Sequence, residues 1–259
     1  MAARAARAAT RASGPGPRSV RAATGSVSRM RRHARALVAA LTLGLALTGC
    51  SGGSDTATKQ TPAQQLAAAK KTVDAARSLH LVLRSSGIPG SAGGVIGADG
   101  VGTHAPAFKG TLDARISGIQ AKVDVVATGG QLYLKLPFTT TFAPVDPKQY
   151  NAPDPATLFS ADQGLSTLLT ATQNPTLGEK KRQGSEVLQT VKGTIPGKDV
   201  VSLLGSGDAN GTFDATYGIT DPGGQLRTIS LTGPFFSGAR STYTLTLDRY
   251  GAPVEISRP

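Results

Sequence analysis

Between Phe108 and Leu136 three stretches alternate apolar and polar residues: Phe108 to Ile116 with Leu112, Ala114 and Ile116 in phase, Ala121 to Ala127 with Val123 and Val125, and Leu132, Leu134 and Leu136 separated by Tyr133 and Lys135. A period of two marks half-buried strands. Gly118 and the Gly129-Gly130 pair sit in the connections, which are short enough for hairpins and too short for the crossover that parallel neighbours need. The segment therefore predicts an antiparallel meander, apolar on one face and wet on the other.

The same alternation recurs elsewhere. Leu79, Leu81 and Leu83 alternate with His80, Val82 and Arg84, and further strands are predicted over 176–182, 186–195, 211–219, 225–232, 239–247 and 254–256. Helical spacing appears at Leu66, Ala69, Val73, Ala76 and Leu79, opposite Lys70, Lys71, Asp74 and Arg77, with Thr61 as N-cap and Pro62 in the first turn. Shorter helical signals follow Asp154-Pro155 (Ala156 to Phe159), Asp162 (Leu165, Leu168, Leu169) and Pro196-Gly197 (Val200, Val201, Leu203, Leu204). Residues 87–107 read as a glycine-rich loop, and 137–155, with five prolines, as irregular chain. The sum is an α+β fold, a large antiparallel sheet with a few helices on one face.

The N-terminal segment has a different character. Arg31, Arg32 and Arg35 precede an uninterrupted apolar run, Ala36 to Leu47, which ends in Leu47-Thr48-Gly49-Cys50. This is the pattern of a bacterial lipoprotein signal, cut ahead of a cysteine that then carries lipid. The run of 12 residues is shorter than the ~20 that cross a bilayer, so the mature chain is expected to be anchored by Cys50 and not threaded. Residues 1–49 read as the signal peptide, with 1–29 either a mis-assigned start ahead of Met30 or a disordered leader; 50–60 read as a flexible tether and 61–259 as one domain. Nine arginines and no acids fall within 1–49, so the net charge of +12 shrinks to +3 once that segment is removed. A nucleic-acid partner loses its main support. The single cysteine, assigned to lipid, leaves no disulfide.

No catalytic pattern stands out. The mature chain holds two histidines, His80 and His104, and no set of converging ligands at metal spacing. Gly-x-Ser-x-Gly is absent, Gly193 to Lys198 is one residue short of a phosphate loop and is followed by Asp199, and Gly205-Ser206-Gly207 lacks its third glycine. No metal, cofactor or enzymatic activity is expected. A sheet with a leucine and valine face, few aromatics and a membrane anchor suggests a binding role instead, and slender inward side chains leave open either a cavity or an ordinary core.

Several short stretches carry a resemblance. They are Ser78-Leu-His80-Leu-Val82-Leu83 followed by Gly87-Ile88-Pro89-Gly90, then Gly130-Gln-Leu132-Tyr133, Asp154-Pro155 with Gly164-Leu165, Gly193 closing a strand, and Leu247 to Pro259 with Tyr250-Gly251 and Arg258-Pro259. In their order and spacing they resemble the LppX/LprG-type lipoproteins of mycobacteria and related actinobacteria over nearly the whole mature chain, with 91–107 as the main departure. The resemblance implies a large half-open antiparallel β-barrel, LolA/LppX-like, wrapped over a few helices and enclosing an apolar cavity. It also implies a ligand, the acyl chains of lipids or glycolipids, and a role in moving them across the cell envelope, in some members together with a major-facilitator exporter. The expected location is the cell membrane, lipid-anchored on the extracytoplasmic face. Leu112 matches a cavity-facing strand position of the family; Ala114, Val123, Val125, Leu132, Leu134, Leu165 and Leu168 extend the lipid-pocket candidates by phase. The glycine stretch is placed at the entrance. The alternative is a scaffolding lipoprotein without cargo.

Overall fold

The chain enters its domain through a capped helix, α1 (Pro62–Ala75). The Gln64 N–H donates to Thr61 Oγ1 at 3.2 Å while the Thr61 N–H donates to Gln64 Oε1 at 2.8 Å, so two of the otherwise orphaned groups of the first turn satisfy each other. Leu66, Ala69 and Val73 form its buried stripe, as the spacing predicts. The computed structural model describes residues 59–116, 118–150 and 153–259 and, of Ile116, Gln149 and Tyr150, the backbone only. Cys50, the signal segment and most of the tether lie outside the described residues.

Two meanders follow. The first comprises β1 (Ser78–Ser86), β2 (Gly94–Thr103), β3 (Ala107–Ile116), β4 (Ile119–Thr128), β5 (Gln131–Lys135) and β6 (Ala143–Val145). A short helix, α2 (Thr167–Ala171), leads to the second: β7 (Gln173–Gln183), β8 (Glu186–Pro196), β9 (Thr212–Thr220), β10 (Leu226–Phe236) and β11 (Ala239–Asp248), with α3 (Gly197–Leu204) inserted after β8. Gly205, at φ +67°, ends α3 in the left-handed conformation, and its N–H bonds the Val201 carbonyl at 2.8 Å. All pairs are antiparallel, and the order β6-β5-β4-β3-β2-β1-β11-β10-β9-β8-β7 joins the meanders where the first strand pairs with the last. The sheet has 11 strands and does not close.

Both edges are blunted. β6 has three residues, one of them Pro144, and β7 is broken by two register shifts and carries Glu179, Lys180, Lys181 and Arg182. Such features discourage pairing with a second chain.

Register shows which residues share the helix-covered face. Leu81 pairs with Leu247 on one side and Gly100 on the other; Gly100 pairs with Gly110, Gly110 with Val125, and Val125 with Leu134. Directly opposed residues point to one face, so these form a single row. Helices and loops pack on it through Leu66, Ala69, Val73, Phe159, Leu165, Leu168, Leu169, Val200 and Leu203. Each large side chain so buried contributes about 1.5–3 kcal/mol relative to exposure.

Three expectations are corrected. Residues 87–107 are not a loop, because 94–103 form β2; its glycines answer a packing need, since a β-carbon at Gly100 or Gly102 would run into the rings of Phe108 or Phe159. Within 137–155 the chain forms β6 and a 3-10 turn over Pro147–Tyr150 despite its prolines; Pro144 is tolerated because β6 lies at the edge, where an N–H is not needed on the open side. Residues 254–256 form no strand: the chain after Tyr250 is tied to the start of β1 by the Gly251 N–H to the Ser78 carbonyl at 2.8 Å and by Ser78 Oγ to the Ala252 carbonyl at 2.5 Å, where β2 and β11 already flank β1.

Candidate functional site

The helix-covered face of β3, β4 and β5 divides into two zones. Val123, Val125 and Leu132 are buried, and so are Leu165 and Leu168, which join the same apolar cluster from the segment around α2. Leu112, Ala114 and Leu134 are half-buried; Leu112 and Leu134, like Leu83, Ala121 and Val145, pack against the margin of the core, and Ala114 follows Leu112 on the same face of β3. All eight pocket candidates thus lie on or against one apolar face, five in its packed part and three in its open part. The register explains the grouping, because Leu112 pairs with both Ala98 and Val123, and Ala114 with both Val95 and Ala121.

Polar ties hold the helices over this face. Lys70 Nζ donates to Asp74 Oδ2 at 2.7 Å, to the Ala161 carbonyl at 2.8 Å and to Ser166 Oγ at 3.1 Å, joining α1 to the loop before α2. The ring nitrogens of His104, in the β2–β3 turn, lie 2.5 Å from the Phe159 carbonyl and 2.8 Å from the Val73 carbonyl. The Tyr217 phenol lies 2.7 Å from Thr172 Oγ1 and donates to the Leu168 carbonyl at 3.2 Å; burial pushes its pKa far above the ordinary tyrosine value.

His80 is on the opposite face. Its Nδ1 lies 2.7 Å from Asp248 and its Nε2 2.8 Å from Asp99, a bridge across β11, β1 and β2. The two histidines therefore serve different partners, one carboxylates and the other backbone carbonyls. Among the described residues no group of His, Cys, Asp and Glu is arranged to hold a metal ion, and no helix is long and apolar enough to cross a membrane. Beside His80 the outward face carries a concavity of about 810 Å³ over Gly97, lined by Val82, Arg84, Asp99, Asp113, Arg115 and Lys122 among others. Its charged lining makes it a poor receptacle for an acyl chain.

Outside the candidate list, Leu83, Ala121 and Val145 border the open zone as Leu112 does. Leu83 and Ala121 were legible, being in phase with strand residues already singled out; Val145 was not, for want of any alternation around it.

The model of the LppX_LprAFG lipoprotein family matches residues 61–256. The chain belongs to this family. Among solved structures, LprF from Mycobacterium bovis shares 20% identity with a TM-score of 0.64, covering 76% of this chain and 96% of that one. LppX from Mycobacterium tuberculosis shares 20% identity with a TM-score of 0.57, covering 76% of this chain and 98% of that one. At such identity the likeness shows the fold, and it agrees with the open sheet and its few helices. Among curated proteins no sequence matches this chain. For an LppX_LprAFG lipoprotein, the half-covered apolar face is the part of the domain with chemistry to offer.

Proposed function

We propose that this lipoprotein binds the acyl chains of lipids or glycolipids on the helix-covered face of its sheet, and carries or presents them for transport across the cell envelope. The observation that supports this reading is the apolar face of β3 to β5, which continues past the packed core into side chains only half removed from water. In this reading Leu112, Ala114 and Leu134 form the mouth of the pocket, and Val123, Val125, Leu132, Leu165 and Leu168 its inner wall.

The energetics suit a carrier without catalytic groups. Each methylene withdrawn from water is worth about 0.8 kcal/mol, so an acyl chain of about 16 carbons leaves a membrane only into another apolar environment. Leucine, valine and alanine provide that environment without any reacting atom. Cys50, carrying lipid on the extracytoplasmic side of the cell membrane, keeps the domain beside its source of cargo, and an exporter of the major-facilitator type is a suitable donor.

Native mass spectrometry of the Cys50→Ser chain purified from an actinobacterial host tests the reading. Adducts with the masses of acylated lipids are expected. A protein that emerges free of acyl lipid, and takes none up from mixed micelles, returns the scaffolding role to first place.

A further inference from the structure

The apolar rows of β4 and β5 do not stop where the core stops. Along β4 exposure climbs from 1% at Val125 and 4% at Val123, through half-buried Ala121, to 72% at Ile119. Along β5 and beyond it climbs from 6% at Leu132, through half-buried Leu134, to 46% at Leu136 and full exposure at Phe138. The register sets these rows side by side, with Ala127 opposite Leu132 and Val125 opposite Leu134, so both rise toward the same end of the sheet.

Phe138 is the anomaly. The Thr139 N–H donates to the Leu136 carbonyl at 3.1 Å, closing a turn with Pro137 second and Phe138 third, and Phe138 takes φ +72°. Glycine or asparagine is the usual occupant of such a position. A bulky side chain there costs on the order of 1 kcal/mol of strain, and a bare ring in water adds nothing to folding. The cost is offset only if the ring meets something outside the domain.

We infer that Ile119, Leu136 and Phe138 form a rim that inserts into the surface of a lipid bilayer, at the end of the sheet where the candidate pocket opens. Phenylalanine and leucine on a rigid support are the side chains that seat themselves at the boundary between headgroups and acyl chains. The chain also brings a bilayer within reach. Residues 51–60, fully extended, span at most about 35 Å, so a lipid at Cys50 keeps the start of the domain within that reach of the membrane. Arg115 and Lys122 stand at the same strand ends; Arg115 donates to the Pro89 carbonyl and, among the described residues, meets no carboxylate, while Lys122 is 3.8 Å from Asp113. Lys135, 3.1 Å from Asp124, completes a border that suits a phosphate-rich surface. Apolar rows that run from the bilayer into the core without a polar break would let an acyl chain pass from one to the other.

The orientation rests on the anchored, lipid-carrying reading, and its test is separable from it. The sequence contains no tryptophan, so Phe138→Trp supplies a single reporter, with Leu177→Trp as control at an exposed position on edge strand β7 at the far side of the sheet. Each full chain is reconstituted into vesicles of phosphatidylcholine and phosphatidylglycerol containing lipid brominated along its tails. The indole emission of the Phe138→Trp chain is expected to shift to the blue and to be quenched at least twofold more than that of the Leu177→Trp chain. Equal quenching of the two, or an unshifted emission from the Phe138→Trp chain, overturns the rim. In a Cys50→Ser chain that begins at residue 50, where neither lipid nor signal segment contributes, Ile119→Ser, Leu136→Ser and Phe138→Ser together are expected to lower the fraction floating with the same vesicles about tenfold, while acyl lipid detected by native mass spectrometry is unchanged. Unchanged flotation overturns the rim as well. Absence of acyl lipid from the parent, with its flotation intact, counts against the carrier reading and leaves the rim standing.

Discussion

Gly102 on β2 lies under the ring of Phe159, with no space between them for a β-carbon. Phe159 in turn stacks on Phe108, at 5.9 Å between centroids and 22° between planes, and Phe108 lies over Gly100. Two glycines thus receive two rings, and the segment before α2 is pressed flat on the sheet. Gly102→Ala is expected to lower stability by about 1–3 kcal/mol through overpacking. The loss should shrink in a Phe159→Leu background, because neighbouring sites that share one clash do not add. Urea unfolding of the four chains measures both; equal losses in the two backgrounds would mean that the ring is not the obstacle.

The same contact explains what the sequence concealed. A stretch holding Gly93, Gly94, Gly97, Gly100 and Gly102 looks like a loop when glycine is weighed by its freedom, whereas the alternation of Gly100 and Gly102 with Val101 and Thr103 is the period-two pattern of a strand that has given up its inward side chains. Nothing local reveals that aromatic rings from residues 108 and 159 fill the space. Elements whose pattern arises from their own burial were readable: α1 from Thr61-Pro62 and its stripe, β1 from three alternating leucines, and the β3–β5 meander from its short connections. β6 was not, because three residues around a proline have no periodicity and owe their place to the edge of β5. Of the candidate site, phase alone identified the face. Which part of it is packed and which is half-exposed depends on residues brought from distant parts of the chain, a long-range matter.

Leu112 stands at the boundary between those parts, half-buried and paired with Ala98 and Val123. In the carrier reading, Leu112→Trp is expected to fill the mouth of the pocket and to reduce recovered acyl lipid several-fold, with a smaller effect on stability because position 112 is only half-buried. Native mass spectrometry and a thermal melt on the same preparation separate the two effects. Undiminished lipid would remove Leu112 from the pocket.

Arg227 grips Glu186 with two bonds, Nε donating to Oε2 at 2.7 Å and Nη2 to Oε1 at 2.6 Å. Chiefly through the hydrogen bond from the guanidinium, the pair holds the Glu186 carboxyl below its ordinary value. A depressed carboxyl contributes stability above its unfolded pKa, and that contribution is lost as pH falls through the folded one. With the Glu186 side chain 39% exposed, solvent screening limits it to about 1 kcal/mol at most. Glu186→Gln should therefore cost that much at pH 7 and nothing at pH 2, as read from urea midpoints; an equal cost at both values would mean that charge is not involved.

At the alkaline end the tyrosines dominate. Burial raises the phenols of Tyr217, Tyr243 and Tyr250, and Tyr250 donates to the Leu226 carbonyl at 2.6 Å. The unfolded chain releases these protons near pH 10 and the folded chain holds them, so stability is full below about pH 10 and falls as pH rises beyond it. Absorbance at 295 nm is expected to show these groups ionising only as circular dichroism reports unfolding. Tyr217→Phe should make the fall of stability with pH shallower, and an unchanged slope would argue that Tyr217 is not among the groups responsible.

The sheet that never closes has a mechanical meaning. Because β6 and β7 share no ladder, the two meanders can swing apart or together about the β1–β11 seam without giving up a main-chain hydrogen bond. A sealed barrel of the same strands would have a fixed bore. In the carrier reading this open sheet can widen to admit an acyl chain beside Leu112 and Leu134, where a closed one could not.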